Sequence, residues 1–240
     1  MYGGAGSNRL KSYGGDDSLY GGSHSDKLYG GSGNDKLYGG SGADSLYASS
    51  GNDKLYGGSS TDTMYGSTGD DTLYGGSNVD KMYGGDGDDK FYGGTSNDKM
   101  YGGAGDDYFR ADGGAESFYG GSGTDDFISY YKSSGGLTIK LDSDSVTGSW
   151  GNNDVISGFE SASGSNTGGD FLWGSAGANR LKGNGGDDSI WGRAGDDKLY
   201  GGSGNDRFDG GDGTDSLYGG SGDDIFHFDR GEDTDYVKDF

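Results

Sequence analysis

The chain contains no cysteine and no proline. Without cysteine it has neither disulfide staples nor thiolate metal sites, and any compartment suits it. Without proline, and with glycine off any three-residue period, it is not a collagen. Only 28% of its 240 residues are apolar, little for a conventional core. No apolar run approaches the length of a membrane span. Basic residues are few: 18 Lys and Arg stand against 40 Asp and Glu, a formal net charge of −22. That balance argues against nucleic acid, which needs clustered Lys and Arg. It argues for a cation partner, because carboxylates crowded into a compact state repel one another. The opening residues, MYGGAGSNRL, lack the basic and apolar regions of a signal peptide. The repeat described next starts at Gly3, as expected of a piece of a longer protein.

What the chain has is glycine, 58 residues of it, together with 19 Tyr, 10 Phe and 3 Trp. Glycine and charge alone would describe a disordered chain, but that many aromatics would not. From Gly3 to Ile128 the sequence divides into 14 nonapeptides without insertion, typified by Gly30-Gly-Ser-Gly-Asn-Asp-Lys-Leu-Tyr38. Position six is Asp in 12 of the 14, with Asn8 and Glu116 as departures; position eight is always apolar; position nine is Tyr in 11. A second array of seven units runs from Ser165 to His227. The organisation expected is an array over 3–128, an intervening β segment over 129–164, an array over 165–227 and a closing segment over 228–240. In the β segment LTIKL (Leu137 to Leu141) alternates as a strand does. The closing segment keeps Gly231 and Asp233 in phase, then drifts and reads as truncated.

One unit offers three residues fit for a strand, such as Lys36-Leu37-Tyr38, and six turn residues in which glycine supplies positive φ. So short a strand holds only when stacked on copies of itself, in register and parallel. Two units, 18 residues, make one coil of strand, turn, strand, turn. The fold expected is therefore all-β: a parallel, right-handed β-roll in two arrays. Position eight points inward as a thin core, and positions seven and nine point outward.

GGSGNDKLY resembles the G-G-x-G-x-D-x-U-x nonapeptide of RTX proteins, which form calcium-binding parallel β-rolls. The intervening stretch and the closing DIFHFDRGEDTDYVKDF also resemble the segments that separate and end such blocks. The resemblance implies calcium ions, each held between a turn and the next turn on the same edge, two units away. The residues support calcium as well. A glycine-rich turn can aim carbonyls at one point, Asp adds a charged oxygen, and calcium takes six to eight oxygens in a tolerant geometry. Magnesium demands a stricter octahedron, and zinc would want His or Cys.

Consecutive units lie on opposite edges of a roll, so the edges can be read separately. On the edge that starts at Ser12, position four is Gly15, Gly33, Gly51, Gly69, Gly87, Gly105 and Gly123, and position six is Asp17, Asp35, Asp53, Asp71, Asp89, Asp107 and Asp125. The other edge has lost four glycines, to His24, Ser60, Asn78 and Ser96. The first edge is expected to bind calcium well and the second poorly, its substituted residues closing their turns by side-chain hydrogen bonds. In the second array both edges are expected to bind. Its ligands are Asp170, Asp188, Asp197, Asp206, Asp215 and Asp224, with Gly186, Gly195, Gly204, Gly213 and Gly222.

Tyr at position nine forms a ladder that includes Tyr38, Tyr56, Tyr74 and Tyr92. It covers the sheet, and it could also hold carbohydrate or another copy of the chain. No nucleophile motif or phosphate loop is present, and the paired carboxylates follow the calcium period, so the chain is not expected to be an enzyme. RTX proteins are typically exported unfolded and fold outside the cell. The resemblance thus implies a secreted or cell-surface module, either adhesive or the tail of a secreted hydrolase or toxin.

Overall fold

The computed structural model describes residues 1–148, 153–228 and 234–239; Gly231 and Asp233 lie outside them. The chain forms two compact units, Met1–Thr124 and Asp125–Phe240. Both contain parallel β-roll arrays, within which a strand pairs with the strand 18 residues on, two units later.

In the first unit, strands Tyr2–Gly4, Ser18–Ser23, Lys36–Ser41, Lys54–Ser59, Thr72–Ser77, Lys90–Thr95 and Tyr108–Arg110 form one sheet. Strands Arg9–Lys11, Lys27–Ser32, Ser45–Ser50, Thr63–Thr68, Lys81–Asp86, Lys99–Ala104 and Ser117–Ser122 form the other. Leu19, Leu28, Leu37, Leu46, Leu55, Met64, Leu73, Met82, Phe91 and Met100 are fully buried between the sheets. Burying each such side chain contributes about 1.5–3 kcal/mol.

The strands are longer than the three residues expected. Interior ones run six residues, from position seven to position three of the next unit, as in Lys36–Ser41. Positions one and two therefore stay in the ladder, although position two bends it: Gly31, Gly40 and Gly58 take φ of 108–112°. Position one points inward, where most units hold glycine and two hold the buried Ala48 and Ala111. That leaves positions four to six for the turn.

Position four takes positive φ in every first-array unit through Gly114, whatever residue fills it. Between Gly33 and Gly105 the glycine edge holds φ at 114–126°, while His24, Ser60, Asn78 and Ser96 sit at 75–94°. A side chain tolerates the second range at a cost of about 1–2 kcal/mol. It does not tolerate the first here: a Cβ on Gly51, Gly69, Gly87 or Gly105 would press onto the position-four carbonyl one coil earlier. The expected side-chain closure of the substituted turns occurs only at His24, whose Nδ1 accepts from the Gly6 N–H at 3.3 Å. Among the described residues Ser60, Asn78 and Ser96 make no side-chain hydrogen bond. Their backbone bends without help because the ladder bonds on either side fix it.

In the second unit LTIKL is a strand over Leu137–Lys140, antiparallel to Ser145–Gly148 and parallel to Phe171–Trp173. Ser161–Ser163 joins the row that continues with Arg180–Gly185, Lys198–Ser203, Ser216–Ser221 and Tyr236–Asp239. Among the described residues no helix is long and apolar enough to cross a membrane.

Ser60→Gly and Ser96→Gly are expected to raise stability by about 1 kcal/mol each, and Gly69→Ala to lower it by more than that. Thermal midpoints of the folded variants check this; equal midpoints for all three would show that the turns are indifferent to Cβ.

Candidate metal centre

The Asp of position six does not face water. Asp26, Asp35, Asp44, Asp53, Asp62, Asp71, Asp80, Asp89 and Asp98 are at most 2% exposed. In every one of them Oδ1 accepts the backbone N–H of the position-six residue one coil earlier, at 2.6–2.8 Å. The carboxylate thus stitches two turns of one edge, the pair expected to share an ion. Its second oxygen, Oδ2, is buried and has no hydrogen-bond partner among the described residues in any of these nine, nor in Asp188, Asp197, Asp206 and Asp224. It lies over position one of its own unit: a Cβ on Gly39, Gly57 or Gly75 would come within 2.5–2.7 Å of the Oδ2 of Asp44, Asp62 and Asp80.

A buried carboxylate oxygen without a donor is costly. Most of the deeply buried carboxyls answer by holding their protons. Burial pushes Asp80, Asp89 and Asp188 up to about 8, and Asp62, Asp71, Asp98 and Asp197 up to about 7. The N–H bond opposes this rise, and like-charged neighbours add to it.

Where the sequence departs from the repeat, the chain supplies its own donor. Ser12 and Ser165 stand at position one, and their hydroxyls donate to Asp17 Oδ2 and Asp170 Oδ2. Asp170 Oδ2 also accepts the Ser165 N–H at 2.7 Å, so both oxygens of Asp170 are satisfied internally. Asn8 and Asn179 replace the carboxylate with an amide, whose Nδ2 donates to the Gly6 and Glu160 carbonyls. The serines and Asn8 bring a proton to the place where Asp elsewhere leaves a bare oxygen, while at Asn179 the uncharged oxygen over Gly174 accepts the Ser175 N–H at 2.6 Å.

Asp125, expected in this row, stands outside it. It pairs with Arg180 at 2.9 Å and accepts from Ser161, while Asp126 is buried. The backbone has slipped by one residue. Ile128, not Phe127, falls in line with the buried Ala162 and Leu181, and the Asp126 carbonyl accepts the Ser161 N–H as position six does elsewhere. The doublet Asp125-Asp126 permits the slip, because either residue can fill the row.

Position five holds a second ladder. On the glycine edge Asn34, Asn52, Asp70, Asp88, Asp106 and Thr124 each donate their N–H to the side chain of the position-five residue one coil earlier, beginning with Asp16, at 2.7–3.1 Å. The other edge of that array has one such bond, from Ala115 to Asn97. The sequence carried this signal as Asn or Asp before position six, in the first array mostly on alternate units.

Among the described residues no three His, Asp or Glu side chains converge on one point. A cation here would rely on one carboxylate oxygen per turn plus main-chain carbonyls. That donor set is all oxygen and suits calcium. The model of the RTX calcium-binding nonapeptide repeat, four copies long, matches residues 2–37, 29–64, 38–73, 56–91, 92–127, 165–199 and 200–235. The chain belongs to this RTX repeat family. It is a calcium-binding repeat module, and such a module is not itself catalytic. No curated protein matches the chain closely enough to add to this.

The outward Tyr residues of the RTX arrays form two stacked rows. Tyr2, Tyr20, Tyr38, Tyr56, Tyr74 and Tyr92 follow one another with ring centroids 4.6–4.9 Å apart and planes within 8°. Tyr29 to Tyr119 do the same on the other sheet. Each ring covers the face of the next, so the rows offer edges and hydroxyls to solvent. A sugar stacks on a face, and inside these rows no face is open.

Because these carboxyls are raised above their unfolded value of 3.8, the folded, metal-free chain binds more protons than the unfolded one between about pH 4 and 8. Its stability should therefore rise as pH falls through that window, and be lost as pH rises through the folded values. Circular dichroism in chelator should show β signal growing from pH 8.5 to pH 5. A loss of signal over that range would contradict the burial.

Proposed function

We propose that the chain is a secreted module whose folding is switched on by calcium after export. The observation that carries this reading is the file of bare, buried Oδ2 atoms along both edges. In a cell interior poor in calcium, ionised carboxylates in those places oppose folding. Outside, calcium binds the folded state alone and stabilises it by mass action. The ion supplies positive charge where the chain has none.

On the glycine edge we assign the ligands to Asp35, Asp53, Asp71, Asp89 and Asp107, with carbonyls of the turns at Gly33, Gly51, Gly69, Gly87 and Gly105. In the second array they are Asp188, Asp197, Asp206, Asp215 and Asp224, with the turns at Gly186, Gly195, Gly204, Gly213 and Gly222. The glycine edge of the first array is the stronger binder. Buried carboxylates occur on both edges, but only this one combines glycine φ at position four with the position-five ladder that holds its turns in place.

Far-UV circular dichroism should show a cooperative gain of β signal on adding calcium, with a midpoint on the order of 10⁻⁴–10⁻³ M, and none on adding magnesium. A fully folded spectrum in chelator at pH 8 would sink the switch. In crystals grown with calcium, anomalous scattering should find the glycine edge filled ahead of the other. Equal occupancy would remove the distinction between edges while leaving the switch intact.

A further inference from the structure

Where an aromatic row ends, a cation usually closes the last ring. Arg9 lies over Tyr29 at 5.1 Å, Arg110 over Tyr92 at 4.5 Å and Lys140 over Trp173 at 4.8 Å. Trp191 is an exception. On one side it stacks on Trp173, centroids 4.4 Å apart. On the other side the row continues with Asp209 and then His227. The Asp209 side chain is too short to cover an indole and carries the wrong charge to cap it. A cavity of about 300 Å³ opens there instead, lined by Trp191, Arg207, Phe208, Asp209, Ile225 and His227.

The geometry points to a binding site for one neutral pyranose ring on the open face of Trp191. An aromatic face takes the C–H face of a sugar, as it takes other apolar or weakly positive surfaces. Around it stand the groups that hydroxyls need. The Asp209 carboxylate accepts and the Arg207 guanidinium donates, with the His227 ring 3.5 Å from Asp209. Arg207 forms no ion pair among the described residues, so its donors are available. The volume admits one ring and little more, and its lining is mostly apolar with a few polar groups at the edge. The net charge of −22 repels phosphates and uronates, which selects a neutral sugar over a nucleotide or an acidic polymer. This site goes beyond the calcium reading and requires only that the second unit be folded.

The test titrates the full chain, in calcium, with cello-, manno-, galacto- and chito-oligosaccharides, and with adenosine. The readouts are Trp fluorescence and calorimetry. At least one oligosaccharide should bind, and Trp191→Ala should weaken it by about tenfold or more. Trp191→Tyr should retain most of the binding. Asp209→Tyr is the sharper variant: it restores the residue usual at this position, covers the indole and should abolish binding while the chain stays folded. Binding that survives Asp209→Tyr, adenosine binding in place of sugar, or a folded chain that takes no oligosaccharide would each overturn the proposal. Circular dichroism of the same samples separates the two readings. A chain folded without calcium removes the switch, and a folded chain without sugar binding removes this site alone.

Discussion

One carboxylate per nine residues governs this molecule. Its first oxygen accepts an amide of the preceding coil and so sets the distance between coils. Its second oxygen is bare, buried and charged unless something answers it. The same side chain thus makes the stack and opposes it. An apolar core one side chain thick, with glycine at most inward positions beside it, is a weak counterweight. Folding is therefore conditional on what meets the second oxygen. A proton, a serine hydroxyl, an amide or a divalent ion will each serve, and the chain uses the two that it can encode at Ser12, Ser165, Asn8 and Asn179.

Stacking identical coils turns each position of the repeat into a row, and a row behaves as a unit. Leucines make a core, tyrosines make a closed pile of rings, and Asn or Asp at position five makes a ladder. A substitution in such a row shows as a gap or a new contact at a definite height. The open face of Trp191 arises this way, because a single Asp interrupts a file of aromatics. Variety in a solenoid is written as exceptions to its rows.

The period alone made most of the fold legible. Position eight could only be the core, and 18 residues per coil followed from two strands and two turns. The strand length was not legible. Gly30-Gly31 reads as turn by propensity, and Gly31 does take φ of 112°, yet parallel pairing on both sides keeps the pair within the ladder of Lys27–Ser32. The slip at Asp125 was hidden by its neighbour, since Asp126 satisfies the row equally well. Position six pointed correctly to oxygen chemistry, but not to its depth. Whether an Asp in a turn faces water or the interior is decided by the direction of the chain at position one, which no single unit reveals.

The two ladders run in opposite senses. At position six the later coil supplies the acceptor and the earlier coil the N–H; at position five the roles are exchanged. On the edge that carries both, every turn is held from above and below. The position-six ladder is the more general, and it gives the stack a polarity. Any coil at the carboxyl end is left with an amide that awaits a carboxylate, as Asp215 does until Asp235 of the closing strand reaches it at 3.1 Å. Any coil at the amino end presents the acceptor alone. The two ends of a broken roll are thus complementary in hydrogen bonding, so fragments of such an array would join head to tail, in one direction only.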